Sequence, residues 1–214
     1  PPRSTLFPYT TLFRSRIVTK KPTLSFLASH GGSAAKEIIR AIQNKTLFAN
    51  IGLVITNNKN SAISQWCQEN GIKTTCISTS THPDGEQEDK AIKHALTAVA
   101  TDFVILSGYM KRIRQQTLKR FSNKILNVHP ALLPKHGGQG MYGDRVHQAV
   151  LNAKETTSGA SIHFINEIYD DGPIIAQQEV PVHPDDTVET LRKRVQAIEA
   201  MLYIESITQI IKNY

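Results

Sequence analysis

Asn127 and His129 stand two residues apart at the end of the apolar run Lys124-Ile125-Leu126-Asn127-Val128, which Pro130 stops. Such a run reads as a short buried strand. Side chains two apart on a strand leave it on the same side, so an amide and an imidazole share one face at the strand end. Further along, Asp170-Asp171-Gly172-Pro173 places a carboxylate in a turn that can meet them. An amide donor, a titratable imidazole and a carboxylate are what a site needs to hold an oxyanion and move a proton. Each also has a plainer reading: a capping asparagine, a core histidine, a turn-forming aspartate. Beside His129, Asp170 would raise the imidazole pKa and keep the ring protonated; Asp171 is its neighbouring competitor. Ser161 and His163 lie two apart on one face of the strand expected at 158–166 and are candidates for a supporting role.

Two further segments carry ligand-binding chemistry. Ser29-His30-Gly31-Gly32-Ser33 follows a strand and opens a helix. Glycines there let backbone N–H groups approach a phosphate, and the helix N-terminus favours its charge. The same residues also make an ordinary strand-to-helix turn. Gly108-Tyr109-Met110-Lys111-Arg112-Ile113 ends a strand at a sheet's carboxyl edge, where open α/β sheets bind ligands.

The elements that must position these residues follow from periodicity. Strands are expected at 23–28, 51–56, 72–77, 103–106 and 124–128. Helices alternate with them at 34–43, 61–69, 89–100 and 116–121, and residues 79–86 read as turn. That alternation argues for a Rossmann-like α/β architecture, a mostly parallel twisted sheet with helices on both faces. The second half changes character. A glycine-rich loop at 134–144 leads to a helix at 145–152, then to strands at 158–166 and 174–182 that pair antiparallel. A long helix opens near Asp186, with Asp186 or Thr187 as its cap, and runs to about residue 212.

The 214 residues suffice for one domain with a full core. Hydrophobic content of 40% and charged content of 20% are those of an ordinary globular protein. No apolar run approaches the ~20 residues that span a bilayer, so no membrane partner is expected. Cys67 and Cys76 read as buried free thiols of a reducing compartment, which fits the cytoplasm. No Cys/His cluster has metal-ligand spacing, so no metal is expected. The net charge of +7 suits anionic small molecules, and no basic patch interleaved with aromatics suggests nucleic acid. Three of those charges, Arg3, Arg14 and Arg16, lie in a segment without helix or strand period. Thr5 to Ser15 is what a common sequencing adapter encodes when translated. Residues 1–16 are therefore expected to be a non-native extension, and 20–214 the domain.

The pattern Asn-x-His-Pro-x-Leu-Leu-Pro from Asn127, with Asp-x-Gly-Pro from Asp170, resembles the folate-dependent formyltransferases, over roughly residues 23–211. The resemblance implies formyl transfer from 10-formyltetrahydrofolate, as co-substrate, to the amine of N1-(5-phosphoribosyl)glycinamide. Deformylation of the same folate and formylation of a sugar nucleotide are the alternatives within it. It implies catalytic roles for Asn127, His129 and Asp170, the spacing selecting Asp170 over Asp171. It places the substrate phosphate on Gly32, Ser33 and Ala34, where relatives carry Gly-Ser-Asn, and a substrate-binding glutamate at Glu199. It places the folate pterin against Met110, Lys111, Arg112, Ile113 and Asn127, with residues 166–170 as the other lip. An arginine that contacts ligand in some members would fall on Gly85. A monomer or homodimer acting on small molecules is expected.

Overall fold

The computed structural model describes residues 21–212. The expected extension at 1–16 lies outside them. Seven strands form one sheet: β1 (Thr23–Ala28), β2 (Asn50–Thr56), β3 (Thr74–Cys76), β4 (Phe103–Leu106), β5 (Ile125–His129), β6 (Thr157–Phe164) and β7 (Ile174–Pro181). Their spatial order is β3-β2-β1-β4-β5-β6-β7. The first five run parallel, and β5, β6 and β7 pair antiparallel. The chain steps outward from β1 to β3, then returns to β4 on the other side of β1. The crevice beyond the carboxyl ends of β1 and β4 is the place where such sheets take ligands.

The helices are α1 (Ser33–Gln43), α2 (Ala62–Glu69), α3 (Gly85–Ala98), α4 (Gln115–Arg120), α5 (Asp144–Asn152) and α6 (Val188–Lys212). They cover both faces of the sheet. On one face Ile38 and Ile39 of α1, Ile63 and Cys67 of α2, and Leu202 and Ile207 of α6 pack with Phe26, Val54 and Leu126. On the other, Ile92 and Leu96 of α3 pack with Leu53, Ile55 and Val104. The buried Asp89 of α3 accepts from the backbone N–H of Gln116 (2.7 Å) and Thr117 (3.2 Å), which joins α3 to α4.

Two expected boundaries move. Helix α3 starts at Gly85, inside the segment read as turn, because Asp84 accepts from the N–H of Glu86 and the acidic Glu86 and Glu88 suit a first turn. Strand β3 is shorter than expected, since only three of its residues pair with β2. At the start of α6 the two candidate caps divide the work. Thr187 Oγ1 accepts from the N–H of Thr190 (3.2 Å), whereas Asp186 is held by both terminal nitrogens of Arg194.

Helix α6 is pinned to the sheet by Tyr203. Its fully buried hydroxyl donates to the carbonyls of Leu106 (2.6 Å), at the end of β4, and Leu126 (3.2 Å), in β5. Removing that oxygen leaves two buried carbonyls without this donor. Tyr203→Phe is expected to lower stability by about 1–3 kcal/mol, read as a shift in the urea midpoint at unchanged slope.

Candidate active site

A cavity of about 670 Å³ opens at the predicted crevice. The turn after β1, the segment after β4, the end of β5, the loop before α5, the turn after β6 and one stripe of α6 all border it.

Register places the reactive side chains. Asn127 of β5 sits opposite His163 of β6, and His129 sits opposite Ser161. Asn127 Nδ2 lies 3.1 Å from His163 Nε2. Asp170 arrives from the turn after β6, with Oδ2 at 3.4 Å from His129 Nδ1 and Oδ1 at 3.7 Å from His163 Nε2. The turn is tight: a side chain at Gly172 would begin 1.8 Å from the carbonyl oxygen of Phe164. The three residues expected to act together are thus brought together. His163, expected only to support them, stands between two of them.

The pKa of His129 shifts against expectation. Its Nε2 lies 2.8 Å from the carbonyl of His136, which can only accept, so Nε2 carries a proton. Burial pushes the ring below the ordinary histidine range, and Asp170 and the His136 carbonyl oppose that without reversing it. The 3.4 Å gap to Asp170 agrees, being longer than a charge-assisted hydrogen bond. Desolvation of the ring thus outweighs the pull of Asp170. Oδ2 of Asp170 instead accepts from the N–H of Gly138 (2.9 Å). Both His129 and Asp170 thereby hold the backbone of one loop, at His136 and Gly138.

Ser161 is a positioning hub. Its fully buried hydroxyl donates to the Ala131 carbonyl (2.6 Å) and accepts from Leu133 N–H (3.0 Å) and Gln177 Nε2 (2.7 Å). The segment leaving His129 is fixed by these bonds.

At the phosphate-type turn, Gly32 is left-handed (φ 57°), and a Cβ there would meet Ile63 at 2.9 Å. His30, Gly31, Gly32 and Ser33 border the cavity. Ala34 does not: the residue is 2% exposed and its methyl belongs to the core, which leaves its backbone N–H in the first turn of α1 as the group that faces a phosphate in the expected reading. Met110, Lys111, Arg112 and Ile113 border the cavity as expected. The Met110 N–H, however, is given to Ser29 Oγ (2.8 Å), so that amide is used within the fold. Arg112 stacks on Tyr169, 5.5 Å from the ring centroid, and links the two lips. Gly85 opens α3 against Arg114, whose guanidinium fills the space a side chain there would take.

Glu199 is half-buried on α6 and borders the cavity. Arg192 and Gln196 border it too, at i, i+4 and i+7 with Glu199, and that helical spacing was the signal that would have found them. His147 of α5 also lines the cavity, 2% exposed, with Nδ1 unpartnered. Among the described residues no group of three or more His, Cys, Asp and Glu is placed to hold a metal ion.

Residues 23–207 match the formyl transferase family. The chain is 37% identical over 187 residues to the chloroplastic phosphoribosylglycinamide formyltransferase of Arabidopsis thaliana, covering 87% of this chain and 64% of that protein. It therefore spans less than two thirds of that relative's length. It is 31% identical over 180 residues to the Haemophilus influenzae phosphoribosylglycinamide formyltransferase, covering 84% of this chain and 82% of the relative. The structure is similar to glycinamide ribonucleotide transformylase 1 from Symbiobacterium toebii, with TM-score 0.84 and 29% identity, covering 90% of this chain and 89% of that one.

Burial raises the Glu199 pKa from 4.5 to about 7. A carboxylate with a raised folded pKa keeps its full contribution below the unfolded value and loses it as pH rises through the folded one. Glu199→Gln is therefore expected to be more stable than the parent above pH 7, by about 2 kcal/mol after solvent screening. The gain should shrink steadily as pH falls from 7 towards 4.5, as read by thermal melts at each pH.

Proposed function

Because the chain belongs to the formyl transferase family, we propose that it transfers the formyl group of 10-formyltetrahydrofolate to the amine of N1-(5-phosphoribosyl)glycinamide, in purine biosynthesis. The observation that carries this reading is the meeting of Asn127, His129 and Asp170, with the buried His163 beside them, on one cavity that also reaches a glycine turn and an apolar mouth. The turn at His30–Ser33, opening α1, suits the ribose phosphate. Glu199 suits the hydroxyls of the sugar. At the other end Met110, Ile168 and Tyr169, all about half or more exposed, give the flat ring of a folate apolar surface.

In the proposed reaction the amine attacks the formyl carbon, forming a C–N bond and placing a negative charge on the formyl oxygen. Asn127 donates to that oxygen. His129 reaches it when its Nε2–H exchanges the His136 carbonyl for the ligand. The bond to N10 then breaks, and the proton lost by the amine passes to N10 through water ordered by Asp170. The roles of the side chains are acid–base and electrostatic. The two free cysteines, Cys67 buried and Cys76 half-buried, fit action in a reducing compartment such as the cytoplasm.

Product analysis tests the proposal. Given 10-formyltetrahydrofolate and phosphoribosylglycinamide, the protein is expected to release tetrahydrofolate and formylated product in equal amounts, and neither without the acceptor. Tetrahydrofolate and formate released without acceptor would show a deformylase, and turnover only with an amino sugar nucleotide would show a different acceptor. Asn127→Ala is expected to lower kcat by about 100- to 1,000-fold, the usual loss for one oxyanion donor.

A further inference from the structure

The side-chain amide of an asparagine can face a site with either its oxygen or its nitrogen, and only the nitrogen end serves an oxyanion. In this protein the choice is made by His163. Its Nδ1 lies 3.0 Å from the carbonyl of Phe164, the next residue along β6. A carbonyl oxygen only accepts, so Nδ1 must carry a proton. In a neutral ring Nε2 is then bare and only accepts. Its neighbour at 3.1 Å is the Asn127 side-chain amide, which must therefore turn its nitrogen, and not its oxygen, towards the ring. One amide hydrogen is used on Nε2. The second diverges from it, and no acceptor among the described residues engages it. Asn127 borders the cavity, so that hydrogen is available to a ligand.

We propose that His163 is a positioning residue whose fixed tautomer, set by the Phe164 carbonyl, orients the Asn127 amide with its donor towards the reacting formyl oxygen. The inference rests on the formyl-transfer reading given above. Burial supports it by holding the His163 ring below the ordinary histidine range. The groups that face the ring are Asn127, Asp170 and His129. Asp170 Oδ1, at 3.7 Å from Nε2, would draw a proton to that nitrogen. Such a proton would turn Asn127 over and present its oxygen to the oxyanion. Desolvation of a fully buried ring opposes it.

Two conservative substitutions separate this role from a merely structural one. A glutamine amide reaches the position of Nε2 and can offer an oxygen to Asn127. An asparagine amide reaches only the position of Nδ1, so it can keep the bond to Phe164 but not the one to Asn127. His163→Gln is expected to lose less than about 10-fold in kcat. His163→Asn is expected to lose about 100-fold or more, the scale of one misdirected oxyanion donor, with the KM for the folate unchanged. A structural role in β6 predicts the reverse order. His163→Asn as active as His163→Gln, or more so, overturns the proposal. Side-chain ¹⁵N resonances of His163 in the parent protein decide the case in which neither variant folds: a proton on Nδ1 with Nε2 bare supports the proposal, and a proton on Nε2 overturns it. If the parent itself transfers no formyl group, the proposed function fails, and the tautomer measurement still reads the orientation of Asn127.

Discussion

The Asp170 carboxylate has a buried imidazole on each of its oxygens, His129 at 3.4 Å and His163 at 3.7 Å, and accepts the N–H of Gly138. Its position is over-determined by backbone. Asp170 is itself left-handed (φ 56°), a conformation aspartate adopts more readily than most residues. Two residues on, Gly172 lies so close to the Phe164 carbonyl that no side chain fits. The turn is thereby pressed against the end of the same strand that carries His163. The β5–β6 register then sets Asn127 against His163 and His129 against Ser161. Strand pairing, turn and carboxylate are consequently one arrangement: a one-residue slip of β5 would send Asn127 and His129, and one of β6 would send His163, to the opposite face of the sheet.

Desolvation is the dominant electrostatic influence in this cleft. It lowers the pKa of His129, His147 and His163 and raises that of Glu199. The lowered histidines favour the folded state at higher pH and lose that advantage as pH falls below their unfolded value. Glu199 does the opposite, so the two kinds of group pull the pH dependence of stability in opposite senses. Directed N–H groups, the Asn127 amide and the His129 Nε2–H, are what the cleft offers a developing oxyanion.

The strand positions and the shared face of Asn127 and His129 were legible in sequence because they rest on local rules, apolar runs and a proline stop, whereas the choice of Asp170 over Asp171 rested on the family resemblance. The parallel pairing of strands β1 to β5 was legible as a class, since alternating strands and helices admit few arrangements, whereas their spatial order was not. What was not legible depends on contacts across the fold. The importance of His163 comes from a bond to its own neighbour's carbonyl and a partner on another strand. The lowered pKa of His129 comes from burial, which no motif states. Ala34 reads as a cradle residue by position, yet the first turn of α1 rotates its methyl into the core. The bond from Met110 N–H to Ser29 joins positions that the sequence keeps far apart.

The wall formed by α6 has a consequence for how the protein comes into being. The helix carries Arg192, Gln196 and Glu199 into the cavity, and it is fastened by Tyr203 to the carbonyls of Leu106 and Leu126, 97 and 77 positions earlier. A ribosome delivers the amino-terminal elements first. A nascent chain that has reached the end of β7 holds every residue from Asn127 to Asp170, yet its cleft lacks one side and two buried carbonyls still lack their donor. Emergence of the last helix thus completes the wall of the cavity and covers the hydrophobic face of the sheet in the same event, so that a complete cavity also marks a chain whose synthesis has passed Tyr203.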